Sequence, residues 1–324
     1  MSHLAPLGDI DVSIVIVNWN AKDYLRICLK SIADETPNLN VEVFVVDNAS
    51  ADGSAEMVRE EFPGVRLIAN ADNKGFAAAN NQGMRQSRGR YVLLLNPDTV
   101  ILENAIEKSV AFADRTPRAG VVGCRVLETM DRAQRTGFRF PGPLNTFWTM
   151  SGLTSAFPGS RVFSGHLYAG WDRDSERRLE VVSGMYMLVR RQAIEEVGLM
   201  DEAYFVYAEE ADWCFRFWKA GWECVFTPEA RILHTEGGSK STAKDAVRMY
   251  VQKQKSLQIF QRKNLGRLPW LAAKAVYIAT LSVRVVGLSA RRLLRGGERE
   301  RLKVAMAVAA LKYHLFRVDP TVSS

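Results

Sequence analysis

The sequence predicts an α/β protein with a mostly parallel central sheet and helices on both faces, followed by a C-terminal amphipathic helical segment. Three observations lead there. In the N-terminal part, short apolar runs rich in β-branched residues alternate with stretches of helical period. These runs are nearly continuously apolar, the pattern of strands covered on both faces. Finally, residues 253–317 hold 15 basic and two acidic residues, an excess of +13 in a chain of net charge +7, which leaves −6 for the remainder. The C-terminal segment is therefore compositionally a different object.

The first strand is expected at 12–17 (VSIVIV), and a helix at 21–33, where Leu25, Cys28, Leu29 and Ile32 recur at helical spacing. The alternation continues with VEVFVV (41–46), a helix after Asp52-Gly53-Ser54, VRLIA (65–69), a helix from about Phe76 to Gln86, and YVLLL (91–95). A further helix is expected to begin near Leu102. The stretch 128–180 is rich in Arg, Gly and Pro and poor in period, and reads as a long excursion over the active face. MYMLVR (185–190) is the next apolar run, a helix follows from about 191, and WECVFTP leads into Ile232-Leu233-His234. This organisation divides the chain into a domain at 1–245 and a basic helical region at 246–324.

With 324 residues, 47% apolar and 24% charged, disorder, a collagen-like fibre and a small binding module are excluded. The four cysteines, Cys28, Cys124, Cys214 and Cys224, form no CxxC pair, which excludes a zinc knuckle or redox dithiol and fits a reducing compartment. The N-terminus lacks the basic and apolar regions of a signal peptide, so a cytoplasmic location is expected.

In parallel sheets ligands bind beyond the carboxyl ends of the strands. Those ends read Asn18-Trp19-Asn20, Asp47-Asn48-Ala49-Ser50 and Asn96-Pro97-Asp98-Thr99. Asp47 closes an apolar strand, where a carboxylate needs a partner such as a nucleotide N–H or ribose hydroxyl; capping of the next turn is the local alternative. Asn73-Lys74-Gly75-Phe76 precedes a run of small residues that lets backbone approach a ligand. No GxGxxG follows the first strand, which argues against a dinucleotide-binding domain. Asp98 can ligate a hard divalent cation bridging a diphosphate, or cap the helix expected near Leu102. Glu209, Glu210 and Asp212 crowd a helix start, where the dipole tolerates them. A solvated acidic turn is one reading; Tyr204, Phe205, Tyr207 and Trp213 around it suit a pocket wall, in which a carboxylate can act as general base. His234 by itself reads as a structural hydrogen-bonder as readily as a ligand.

Taken together, SIVIVNWN, VVDNASADGS, NKGFAAANNQG, LLLNPDT, SGMYMLVRR, MDEAYFVYAEEADWCFR and the late His234 resemble the inverting family 2 glycosyltransferases of the GT-A fold, especially rhamnosyltransferase-like members. The resemblance spans about residues 12–240. It implies that Asn18, Asp47 and Asn48 hold the base and ribose, and that Asn73, Lys74 and Gly75 close over the same nucleoside. Asn96 stands at the first position of the family's DxD motif and Asp98 at the last; Asp98 and His234 are the implied ligands of Mg²⁺ or Mn²⁺. Ser183, Gly184 and Met185 fall where the family shapes the sugar pocket, with Glu209 beside sugar or acceptor. Glu210 occupies the base position of the usual Glu-Asp-x-Asp, and Asp212 is the other candidate. The implied reaction moves a sugar, rhamnose from dTDP-rhamnose in such members, from a dTDP- or UDP-sugar to a polyprenyl-diphosphate-linked saccharide. A nucleotidyltransferase, and a degenerate member that binds without turnover (motivated by Asn96 and Glu210), are the alternatives.

Between residues 267 and 295, Leu271, Ala275, Ile278, Val285 and Val286 fall on one side of a helix, and Arg284, Arg291, Arg292 and Arg295 on the other. Residues 268–288 are nearly long enough to cross a bilayer, but Lys274 and Arg284 make crossing costly. The segment is expected to lie on the cytoplasmic face of the inner membrane, with residues 302–316 as a second helix against it. Packing into a homodimer is the alternative. Few aromatics and an aliphatic face argue against nucleic acid as a partner.

Overall fold

The structure, a computed structural model, describes residues 4–235 and 245–318. Strand β1 (Val12–Asn18) is buried along nearly all its length and pairs in parallel with β2 (Val41–Asp47) and β4 (Tyr91–Leu95), while β3 (Arg66–Ala69) joins β2. Parallel neighbours need crossovers, and α1 (Lys22–Asp34), α2 (Ser54–Glu61) and α3 (Phe76–Gln86) supply them. Leu25, Cys28, Leu29 and Ile32 are all buried, as their spacing predicts. Residues of α1, α2 and α4 (Ala105–Arg115) share one core with Ile14 and Ile16. On the opposite face α3 packs so closely that a Cβ at Gly83 would strike the Val15 side chain.

The second half of the sheet is mixed. Its strands are β5 (Thr99–Leu102), β6 (Ala119–Thr129), β7 (Arg132–Ala133), β8 (Arg177–Leu179), β9 (Tyr186–Arg190) and β10 (Glu223–His234). The order is β3-β2-β1-β4-β9-β6-β10-β5, with β7 on β6 and β8 on β10. β9 runs antiparallel to both β4 and β6, whereas β10 is parallel to β6 and antiparallel to β5. The helix expected near Leu102 starts only at Ala105, because β-branched Thr99, Val100 and Ile101 pair with β10 instead. Asp98 is consequently not a helix cap. All four cysteines are buried and unbridged.

Helices α5 (Pro143–Ser151), α6 (Leu153–Ala156), α7 (Arg191–Val197), α8 (Glu209–Lys219), α9 (Ala246–Phe260), α10 (Arg267–Arg295) and α11 (Glu298–Phe316) complete the chain. Two compact units result. Among the described residues, the sheet unit comprises 4–139, 171–205 and 209–235, and the helical unit 140–170, 206–208 and 245–318. The excursion read as lying over the active face is thus divided, its middle belonging to the helical unit. Residues 140–170 contain no carboxylate, and Met150 of α5 joins Val251, Tyr277, Leu281, Ala307 and Ala310 in that unit's own core.

Helix α10 buries one side, through Ala273, Tyr277 and Leu281, and exposes another. Leu268 is 79% and Leu293 88% exposed, with Leu271, Val283, Val286 and Leu294 also open between and beside them. With exposed Ala275 and Ala279 between them, they fall on one side of the helix and make one stripe. Ile278 and Val285, expected on the same side, are half-buried at its margin. By length and composition Arg267–Leu294 could cross a membrane, and it is mostly exposed.

Candidate active site

The ends of β1 and β2 are brought level by their register, which pairs Asn18 with Asp47. Asn18 Nδ2 donates to Asp47 Oδ1 at 2.9 Å and to Ser50 Oγ at 3.1 Å, and the Ser50 N–H donates to Asp47 Oδ2 at 3.0 Å. The carboxylate is fully engaged although buried, as such a group must be. Asn18 Oδ1 is a buried acceptor with no donor among the described residues, the kind of atom that a ligand N–H satisfies.

Asn48 ties this corner to the loop before α3. Its Nδ2 donates to Asn73 Oδ1 and to the Gly75 carbonyl, both at 3.1 Å, and its Oδ1 accepts from Asn70 Nδ2 and the Lys74 N–H. Gly75 has φ +83°, and a Cβ there would run into the carbonyl and ring of Phe205. The Phe76 N–H donates to that same carbonyl at 2.6 Å, so the nucleoside loop is stitched to the approach to α8. Only glycine satisfies both demands. Lys74 reaches outward to an exposed pair with Asp72.

Asn96 follows β4, and its N–H donates to the Met185 carbonyl at 3.1 Å, bringing Ser183, Gly184 and Met185 beside the end of that strand. Gly184 lies in ordinary contact distance of the Phe76 ring. Asp98 and His234 are joined by strand pairing, since Thr99 is in register with His234 across β5 and β10. Their Oδ1 and Nε2 atoms are 3.3 Å apart, with Asp98 only 4% and His234 9% exposed. A carboxylate and an imidazole in contact fit a divalent cation as a two-donor set that a diphosphate's oxygens complete. No cluster of three or more His, Cys, Asp or Glu side chains that could hold a metal ion occurs among the described residues, so this pair supplies two donors. Gln134 Nε2 lies 3.3 Å from His234 Nδ1 and donates to the His234 carbonyl. No local pattern marks Gln134; the β6–β7 and β6–β10 registers carry it there.

The acidic turn separates into distinct roles. Asp212 is fully buried, paired with Arg216 Nε at 3.0 Å, and accepts from the Tyr204 hydroxyl. Arg216 in turn donates to the Val197 and Leu199 carbonyls. This geometry makes Asp212 the anchor of α8 and does not leave it as a base; the i,i+4 spacing to Arg216 was the available signal. Trp213 and Tyr204 are core side chains in place of the expected pocket wall, with the indole donating to the Gly198 carbonyl at 2.8 Å. Burial, with Asp212 nearby as the next cause, drives the Tyr204 phenol far above its usual range. Glu209 is buried beside Glu210, and burial first, then that neighbouring charge, holds its carboxyl well above the usual carboxylate range. A carboxylic acid next to a second carboxyl group is an arrangement suited to proton transfer.

Comparison with known proteins identifies the family and the fold. A rhamnosyltransferase of Mycobacterium tuberculosis (strain H37Rv), named for N-acetylglucosaminyl-diphospho-decaprenol, is 30% identical over 268 residues, 76% of this chain and 82% of the relative. The mannosyltransferase PcManGT from Pyrobaculum calidifontis, solved with GDP-Man and Mn²⁺, superposes with a TM-score of 0.57 at 17% identity, covering 98% of this chain and 91% of that one. GalNAc-T7, solved with UDP, GalNAc and Mn²⁺, superposes at 0.55 with 15% identity over 95% of this chain and 56% of its own. These likenesses establish the GT-A fold. The family model described as Glycosyl transferase family 2 matches residues 13–198, more than half of the sequence and all of the nucleoside loops, and the chain belongs to that family.

Proposed function

We propose that this glycosyltransferase is inverting and metal-dependent, and moves rhamnose from dTDP-rhamnose to a hydroxyl of a polyprenyl-diphosphate-linked saccharide in cell-surface glycan synthesis. The observations that carry the site reading are the Asn18–Asp47 hydrogen bond at the paired ends of β1 and β2 and the Asp98–His234 contact between the segment after β4 and the end of β10. Donor sugar and acceptor class rest on the Mycobacterium tuberculosis relative, whose name specifies both. Family membership sets aside the nucleotidyltransferase alternative.

In the proposed displacement, Glu210 takes the proton of the acceptor hydroxyl as its oxygen bonds to the anomeric carbon. The bond from that carbon to the donor's diphosphate oxygen breaks, the nucleoside diphosphate leaves, and the configuration inverts. Glu209, keeping its proton, donates a hydrogen bond to a sugar or acceptor oxygen. Asp98 and His234 would hold Mg²⁺ or Mn²⁺, whose charge offsets that of the departing diphosphate. Asn96 contributes no charge there, which lowers cation affinity relative to a site with two carboxylates.

The helical unit supports the membrane side of the reading. Residues 245–318 hold 16 Lys and Arg against three acidic residues, and α10 exposes an apolar stripe. A basic segment with an apolar stripe of this kind would rest on the anionic cytoplasmic surface of the inner membrane, where a polyprenyl-linked acceptor resides. A homodimer through the same stripe would instead show as a second copy in solution.

Calorimetric titration with dTDP, UDP and GDP, with and without Mn²⁺, followed by transfer from dTDP-rhamnose to an N-acetylglucosaminyl-diphospho-polyprenol in anionic vesicles, tests the reading. Metal-enhanced, dTDP-selective binding and product with inverted configuration are expected. Nucleotide binding without transfer to any such acceptor would favour the degenerate reading that Asn96 and Glu210 motivate.

A further inference from the structure

Immediately before the acidic turn, Tyr207 and Ala208 have φ +71° and +65°, two consecutive non-glycine residues in the left-handed region. Such residues persist only where surroundings over-determine them, and they concentrate at functional sites. Here the surroundings are supplied by α9. Ser256 is fully buried, and its Oγ donates to the Val206 carbonyl at 2.8 Å. The hydroxyl is held in turn by Gln252 Nε2 at 3.0 Å, one helical turn earlier, and Lys253 Nζ lies 5.9 Å from the centre of the Tyr207 ring. The segment 206–208 accordingly groups with the helical unit while the residues on either side of it belong to the sheet unit. The very next residues are Glu209 and Glu210.

We infer that Ser256, seated by Gln252, is a positioning residue for the base: by pinning the Val206 carbonyl it holds the left-handed Tyr207–Ala208 turn that sets where Glu210 stands. It touches no substrate, and its action runs along the chain. The inference rests on the assignment of Glu210.

The test uses the full chain with Ser256→Ala, Ala208→Gly, the double variant and Glu210→Gln, reading amide hydrogen exchange over 204–212, donor KM, nucleotide Kd and kcat. Ser256→Ala is expected to speed exchange at 206–210 and lower kcat about 10-fold, with donor KM and dTDP affinity unchanged. Glycine adopts positive φ without steric cost, so Ala208→Gly in the Ser256→Ala background is expected to restore kcat to within about threefold of the parent. A merely structural serine would not be rescued by a glycine at 208. Unchanged exchange and kcat in Ser256→Ala, or no recovery in the double variant, overturns the inference. A Ser256→Ala protein that melts early with parental exchange at 206–210 overturns it as well. Should Glu210→Gln stay active, the assignment of the base fails while the exchange result is read separately.

Discussion

The nucleoside cradle and the segment that carries the candidate base are held in opposite ways. Around Asp47 and Asn48 the polar side chains satisfy one another, and the outermost pair, Asn70 and Gln82, exchange both amide hydrogen bonds at 2.9 and 3.0 Å. From 204 to 212 the chain instead holds two left-handed residues, a buried acid, Glu209, whose Oε2 has no hydrogen bond among the described residues, and one buried ion pair as anchor. The contrast teaches a division of labour. The Asp47–Asn48 corner is a closed network that needs little adjustment, whereas the proposed reacting groups sit on backbone and charge that the rest of the fold keeps away from their relaxed states.

The strongest way to break the comparison is Glu210→Gln, which removes the proton acceptor without changing shape. We expect kcat to fall about 10³-fold while dTDP affinity stays within about twofold. Arg216→Ala attacks the anchor, leaving Asp212 as an uncompensated buried charge; a loss of about 3–5 kcal/mol in unfolding free energy is expected, read by denaturant titration. In the cradle, Asp47→Ala takes one of the two acceptors from Asn18 Nδ2 and leaves the Ser50 N–H without its acceptor, and dTDP affinity is expected to drop about 30-fold, about 2 kcal/mol, with stability less affected than in Arg216→Ala. A last test sharpens the comparison through pH. Because the folded-state pKa of Glu209 is raised, the unfolded chain loses this proton first, and folding carries a penalty that grows as pH rises above the usual carboxylate range. Stability should therefore decline with pH by about 1.4 kcal/mol per unit above that range until Glu209 ionises in the folded state, and Glu209→Gln should flatten this slope and raise Tm at pH 7. An unchanged slope in that variant would show that Glu209 is not the group responsible.

The cradle was legible in the sequence, and most of the second region was not. Asn18, Asp47 and Asn96 lie at ends of apolar strands, so reading where each strand stops also locates its polar terminus. Gly75 was legible as a loop glycine, but that it must yield to the Phe205 carbonyl is a long-range contact. Asp212, the alternative to Glu210 in the sequence, pairs with Arg216 four residues on, a spacing that is itself a local signal. Thr99 to Leu102 was read as a helix approach because an isolated β-branched segment cannot announce its partner strand, here the last residues of β10. The stretch 128–180 had no period to read, and its division between the two units follows from where its apolar residues find matching surfaces.

What the sequence by itself determined is whatever depends on backbone period and local charge: the alternation of strands and helices, the polar strand ends, and a basic helix with an apolar stripe. Each of these is written in residues within a turn or a strand of one another. Tertiary structure alone decided that Asp98 meets His234, that Gln134 supports that histidine, and that Ser256 grips the turn before Glu210. Those contacts join residues from separate parts of the chain, and strand register and helix packing, which no local pattern encodes, set their distances.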